Sequence, residues 1–317
     1  MASITAPGNL EHGKPMHWLR RLLRWTGLHR AEVRAGYLFT APSTFLILLF
    51  VVAPMVGGLA LSFYRWDAFS PPTPAGLSNY AQLPNDSLFI SAMRNTFIFA
   101  CVSAPLSIVI GLVLAIIINE PWVKGKSLFS TIHFIPVVMS MVAVALIWRW
   151  NYDNEYGLLN VMLKMVGLPR QMWLQSARWV ILALMFVNIW KTVGYNMVIY
   201  LAALQDIPGH LIETAALDGA SRLQQLRHIA LPLLKPTTLF VTIISFINSF
   251  QVFDLVYVFV GERGPDRNSI VMVYDVYMTA FRSYQLGYAS AQAAILFLVI
   301  LILSIALFKL MTSEVEY

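Results

Sequence analysis

Charge is scarce in this sequence. Asp, Glu, Lys and Arg make up 12% of the 317 residues, against 58% hydrophobic, which lies outside the composition of an ordinary soluble domain. There is one cysteine, Cys101, so no intrachain disulfide can form and cysteine usage is silent about redox compartment. No HExxH, nucleophile–base pair or set of paired carboxylates occurs, so a membrane-embedded enzyme finds no catalytic residues and no metal ligands. No cofactor is expected. Coupling carboxylates inside the apolar runs are also missing apart from Asp254, near the outer end of one of them. A self-sufficient secondary transporter or channel would call for more. Internal repeats, low-complexity tracts and a separate soluble domain are absent.

What is present is length of apolar chain. Runs near Tyr37–Phe63, Thr96–Ile118, Leu128–Ile147, Trp179–Leu204, Thr237–Val260 and Leu286–Leu310 are each long enough for a hydrocarbon core of about 30 Å. Six spans place both termini on one side and define an all-α polytopic membrane protein. The first run starts late and is too long for a signal-peptide core, so a cleaved leader is not expected. Lys14, Arg20, Arg21, Arg24, Arg30 and Arg34 put the N-terminal arm in the cytoplasm, and with it the C-terminus and the loop between spans four and five. Over the whole chain the bias is weaker, 12 Lys and Arg on the inner side against 9 outside with Lys191 inside a span, so the arm decides. The net charge of +6 is accounted for by anionic lipid headgroups and needs no nucleic-acid partner. Residues 1–35 read as a cytoplasmic arm and 36–317 as the transmembrane domain. Within the arm, Trp18, Leu19, Leu22 and Leu23 share one face of a helix over Pro15–Gly27 and Arg20, Arg21 and Arg24 another. That pattern suits lipid anchoring or partner binding.

Several short signals sit between and within the spans. Asn95–Thr96 is read as opening span two and Glu120–Pro121 as closing it. Gly125–Lys126–Ser127 has the tail of a phosphate-binding loop, but position 120 is Glu120 and no strand precedes it. It reads as a basic turn on the cytoplasmic side. His133 has no ligand or base at useful spacing, which leaves a helix-packing hydrogen bond. Pro71–Pro72–Thr73–Pro74 stiffens the first outer loop. Trp150, Tyr152, Tyr156 and Trp173 suit an interfacial belt or a docking surface. Span four carries Asn188, Lys191, Thr192, Tyr195 and Asn196 at three-to-four-residue spacing, with Lys191 too deep to reach the interface easily. Span five carries Thr242, Ser245, Asn248, Ser249 and Gln251 among Phe246, Phe250 and Phe253. Hydroxyls and amides beside aromatic rings fit a polyhydroxylated ligand; the same groups also serve as glue between helices.

The one polar island, 205–236, is organised around Glu213–Thr214–Ala215–Ala216–Leu217–Asp218–Gly219–Ala220 and then Ile229, Leu231 and Pro232. Its spacing predicts a first helix with Leu211, Ile212, Ala215 and Ala216 on one face and Glu213 and Thr214 on the other. Asp218–Gly219 predicts a stop and turn, and Ser221 a cap for a second helix through Leu223, Leu226 and Ile229 that Pro232 breaks.

The pattern E-x-A-x-x-D-G-A followed by I-x-L-P resembles the cytoplasmic loop of permease subunits of binding-protein-dependent ABC importers, with Thr214 where Ala is usual. From Arg34 onward the chain is similar to the carbohydrate-uptake branch, maltose- and glycerol-3-phosphate-importer-like. Its Gly264–Pro265 loop resembles the first of two sibling permeases. The resemblance implies a type I ABC importer permease fold and a loop whose residues Glu213, Ala215, Ala216, Asp218, Gly219, Ala220, Ile229, Leu231 and Pro232 couple to an ATPase. It implies as partners a sibling permease, two ATPase subunits that bind the ATP, and an extracytoplasmic solute-binding protein, in an inner membrane. In the maltose-type permease a mid-membrane sugar site uses an Asn one residue after Val. Asn188 stands at that place, Thr192 one turn on, and Ser245, Asn248 and Ser249 fall in the matching stretch of span five, with Lys191 beside them. Val252 stands where an Asn is expected. A sugar or sugar-like polyol is the implied solute; a glycerol phosphate ester or other non-sugar solute is the alternative.

Overall fold

The computed structural model describes residues 30–261 and 269–312. The amphipathic stretch Pro15–Gly27 and the Gly264–Pro265 loop lie outside them. The chain divides into two compact units, residues 1–57 and 58–317. In the first, α1 (Arg30–Ile47) carries Pro42 without a break and runs into a π turn, Leu48–Val52. There the Ala53 N–H reaches back five residues to Leu48 O, just before Pro54, which has no N–H to give. The helix resumes as α2 (Ala53–Leu61).

The second unit takes in the end of α2 and continues with Tyr64–Arg65 paired antiparallel to Thr73–Pro74, Tyr64 opposite Pro74, the two strands found among the described residues. Span two, α3, runs from Ser87 to Asn119, capped by Asp86, whose carboxylate accepts from the Leu88 and Phe89 N–H groups. It therefore starts well before Asn95–Thr96. Those two side chains instead hold a distant segment: Asn95 donates to Ile270 O at 2.9 Å, and Thr96 Oγ1 accepts from Met272 N at 2.8 Å. Glu120 ends the helix as expected. Lys126 donates to Asn119 O at 2.9 Å, so the lysine of Gly125–Lys126–Ser127 closes a helix end.

The expected continuous third span is broken. It consists of α4 (Lys126–Val138) and α5 (Met141–Asn151), bent by 99° at Met139–Ser140. Span four is α6 (Ala177–Gln205). The polar island follows as α7 (Gly209–Leu217) and α8 (Arg222–Gln225). Span five is α9 (Lys235–Phe250) continued after a short interruption by α10 (Asp254–Val260). Then come α11 (Met272–Phe281) and span six, α12 (Leu286–Thr312). Among the described residues five helices are long and apolar enough to cross a membrane, six if the bent pair counts as one.

Lipid is as apolar as leucine, so close packing and internal hydrogen bonds rather than water exclusion hold such helices together. Gly194 is where this is tightest: a Cβ there would lie 1.9 Å from the His133 carbonyl oxygen of α4. Among the described residues the His133 ring bonds its own helix, through Phe129 O at 2.9 Å, so at this position the backbone makes the interhelical contact. Asn196 joins three spans, donating to Ser107 Oγ at 3.2 Å and accepting from Ser245 Oγ at 3.4 Å. Of the outer aromatics, Tyr152 and Trp173 belong to the core around Val180, Leu184 and Phe259, while Trp150 and Tyr156 are exposed. On that side Tyr288 donates to Asp86 at 2.8 Å and Gln292 to the buried Asp275 at 2.9 Å. Burial, and secondarily the Asp86 charge, push the Asp275 carboxyl up to about 6 against the Gln292 hydrogen bond.

Candidate functional site

Two places gather the residues singled out by the sequence. The first is the loop. α7 ends in a paired closure: Gly219 takes φ +82°, its N–H bonds Ala216 O at 3.1 Å, and the Ala220 N–H bonds Ala215 O at 2.9 Å. That is a Schellman motif, which needs a residue at ease in the left-handed region. One residue on, Ser221 and Gln224 form a capping box at the start of α8. Pro232 does not break the second helix as expected. A π turn over Leu226–Ala230 precedes it, with Leu231 N–H bonded to Leu226 O, and the chain stays helical through Leu231–Leu233. The wider turn accommodates a residue without an N–H.

Of the residues expected on one face, Ile212 and Ala215 are half-buried and Leu211 and Ala216 exposed. Glu213 is exposed and also lines a cavity of about 450 Å³ between the loop and the ends of spans two and four. Ala220 and Ile229 are half-buried; Asp218, Gly219, Leu231 and Pro232 are exposed. Arg222 pairs with Glu120 at the end of span two, which ties the loop to the bundle. Sequence reasoning missed Leu217 and Leu223, which are 89% and 73% exposed on either side of the turn. Leu217, out of phase with half-buried Ile212 and Ala215, carried a signal in its position; Leu223, in phase with Leu226 and Ala230, carried none.

The second place is a cavity of about 340 Å³ at the break in span three. It is lined by Asn188, Lys191, Thr192 and Tyr195 of α6, by Asn248 of α9, and by Gln251 and Asp254 beyond it. Asn188 is buried, and its amide has no hydrogen-bond partner among the described residues. Thr192 gives its proton to Asn188 O at 2.8 Å and keeps its acceptor lone pairs. Phe253, its ring packed on Tyr257 and Tyr277, supplies an aromatic wall. Lys191 donates to three backbone carbonyls at the break: Pro136 and Val137 at 3.1 Å and Met139 at 3.0 Å. Ser245 and Ser249 are not brought here. Both are buried, neither lines the cavity, and Ser245 is spent on Asn196. No group of three or more His, Cys, Asp or Glu side chains that could hold a metal ion occurs among the described residues.

Residues 89–316 match the family of binding-protein-dependent transport system inner membrane components. The chain is similar to the probable ABC transporter permease YurN of Bacillus subtilis, 36% identical over 88% of this chain and 97% of the relative. It is also similar to the lactose transport system permease LacF of Rhizobium radiobacter, at 33% over 85% and 91%. Among solved structures, a bacterial ABC transporter involved in import of the acidic polysaccharide alginate superposes with a TM-score of 0.80 and 25% identity, covering 93% of this chain and all of that one. The loop, the polytopic helical bundle and these matches agree: the chain belongs to the binding-protein-dependent transport system inner membrane component family.

Proposed function

We propose that this chain is the transmembrane permease subunit of an ABC importer for a sugar or sugar-like polyol. The observation that carries the reading is the mid-bundle cavity, where the amide of Asn188, open to the cavity and without a partner among the described residues, meets Asn248, Gln251, Thr192 and an aromatic wall. Amide and hydroxyl groups that face a cavity with donors and acceptors to spare are what a hydroxylated solute can bond. The relatives' sugar substrates support the class of solute. A sibling permease completes the passage, two ATPase subunits hydrolyse ATP, and a solute-binding protein delivers the solute from outside. The arm 1–35 and the loop 205–236 lie in the cytoplasm of an inner-membrane protein, and the loop's exposed Leu217 and Leu223 enter the ATPase surface beside Glu213.

Proteoliposomes holding the whole complex test the reading, with the solute that co-purifies on the binding protein. Uptake should require ATP and the binding protein and be indifferent to ionophore. Uptake driven by an ion gradient without ATP would replace the reading with a secondary transporter. For orientation, single cysteines at Glu11 and Gln224 should resist an impermeant reagent applied to intact cells. Labelling from outside would invert the topology.

A further inference from the structure

Two formally charged side chains line the mid-bundle cavity among the described residues, Lys191 and Asp254, and their surroundings differ. An ammonium has three N–H donors and no acceptor. All three donors of Lys191 are spent on Pro136 O, Val137 O and Met139 O. Those carbonyls close α4, where the last C=O groups of a helix are unsatisfied and carry the negative end of its dipole. The cation is thus compensated from behind by backbone, with no donor left for a solute. Asp254 is the reverse case. It is exposed at the start of α10, and its carboxylate hydrogen-bonds to no described group. The remaining polar lining is uncharged: three amides, one hydroxyl and one phenol.

We propose that this chain's part of the passage selects an uncharged polyhydroxylated solute and disfavours anions, with Lys191 acting as a clamp on the broken span and Asp254 setting the sign of the cavity. The proposal rests on reading the cavity as the passage. A sugar ring can donate hydroxyl protons to Asp254 and the amide oxygens, accept from the amide N–H groups, and lay its C–H face on Phe253. A uronate or a phosphate ester brings a like charge towards Asp254 and meets no free cationic donor.

The sign of the cavity can be measured without knowing the solute. In the full importer complex carrying Cys101→Ser, an Asn248→Cys thiol is reacted with neutral methyl, anionic sulfonatoethyl and cationic trimethylammonioethyl methanethiosulfonates. Each rate is divided by the rate for 2-mercaptoethanol. Gln251→Cys serves as the second position should Asn248→Cys not assemble. The corrected cationic-to-anionic ratio should be several-fold, roughly fivefold if one carboxylate acts across a distance of about a cavity's width through water-like screening. It should fall to one or below in Asp254→Asn, where Lys191 is the charged lining residue that remains. A ratio at or below one with Asp254 in place, or one that Asp254→Asn leaves unchanged, overturns the proposal. If the neutral reagent fails to modify either thiol, the passage reading falls and takes this proposal with it, a failure distinct from a wrong sign.

Discussion

Gly194 and Lys191 stand one helical turn apart on the face of α6 that meets α4, and the structure makes them parts of one contact. Gly194→Ala would put a Cβ 1.9 Å from His133 O. Ordinary van der Waals contact begins about 1.5 Å farther out, and that is the separation the two helices must open. Lys191 reaches its three carbonyls at 3.0 to 3.1 Å, so a displacement of that size takes all three beyond hydrogen-bonding range. Overpacking of this kind costs about 1–3 kcal/mol. Three hydrogen bonds from a charged donor, discounted for a half-buried side chain, are worth about 3 kcal/mol together. Lys191→Met removes the same three bonds without the clash. We therefore expect Lys191→Met to lose about 3 kcal/mol, Gly194→Ala about 4–6 kcal/mol, and the double variant about what Gly194→Ala loses alone, a coupling of about 3 kcal/mol. Reversible unfolding in mixed SDS micelles, followed by tryptophan fluorescence, supplies the double-mutant cycle. Additive losses, or a Lys191→Met variant as stable as wild type, would show that the ammonium does not hold the break.

Asp275 gives a pH prediction. With its carboxyl raised from 3.8 to about 6, the folded protein keeps a proton that the unfolded chain has released between those values. Its contribution to stability is therefore greatest below about pH 4, declines as pH rises to about 6, and is flat above, a change of up to about 3 kcal/mol. Asp275→Asn should flatten the profile, and an unchanged profile would refute the assignment. At the loop, a Cβ on Gly219 meets open space, so Gly219→Val should act through strain at φ +82° alone. It should abolish capture of the ATPase while insertion stays normal; wild-type capture and uptake would remove the loop from coupling. Glu213→Ala should weaken that capture in a salt-dependent way, by about 0.2–1 kcal/mol; capture that is equally strong at low and high salt would rule out a charge contact. The Glu120–Arg222 pair joins an exposed guanidinium to a half-buried carboxylate and is worth at most about 1 kcal/mol, so Glu120→Lys should reduce ATP-coupled uptake modestly. Adding Arg222→Glu should restore it, and a double variant no better than the single would show that the pair carries nothing.

The loop was legible because its signals are local. The Schellman closure at Gly219 and the capping box at Ser221 depend on four or five neighbouring residues, and sequence carries such information directly. The break in span three was not. Pro136 lies inside α4 just as Pro105 lies inside the continuous α3, so proline does not tell the two apart. What accompanies the break is Lys191, whose partner Pro136 lies 55 residues away. The three-to-four-residue stripe on span five placed Ser245, Asn248 and Ser249 together, but periodicity does not say which neighbour covers which face. Asn248 meets the cavity, and Ser245 meets Asn196. Pro232 was read as a breaker because a π turn has no simple pattern of its own. Of the two exposed leucines beside the turn, Leu217 stands out of phase with Ile212 and Ala215, a signal in the sequence, while Leu223 shares the phase of Leu226 and its exposure does not show in the pattern.

Span four is the least apolar of the five long helices, and the clamp bears on how it enters the bilayer. A lysine at the centre of a helix costs about 2.5–3.5 kcal/mol on insertion. The compensation comes from carbonyls that only span three can offer, and they become available only once α4 has ended at its break. Spans three and four should therefore leave the insertion machinery as a pair. Deleting span three, or straightening it, should strand span four outside the lipid even though its own sequence is unchanged.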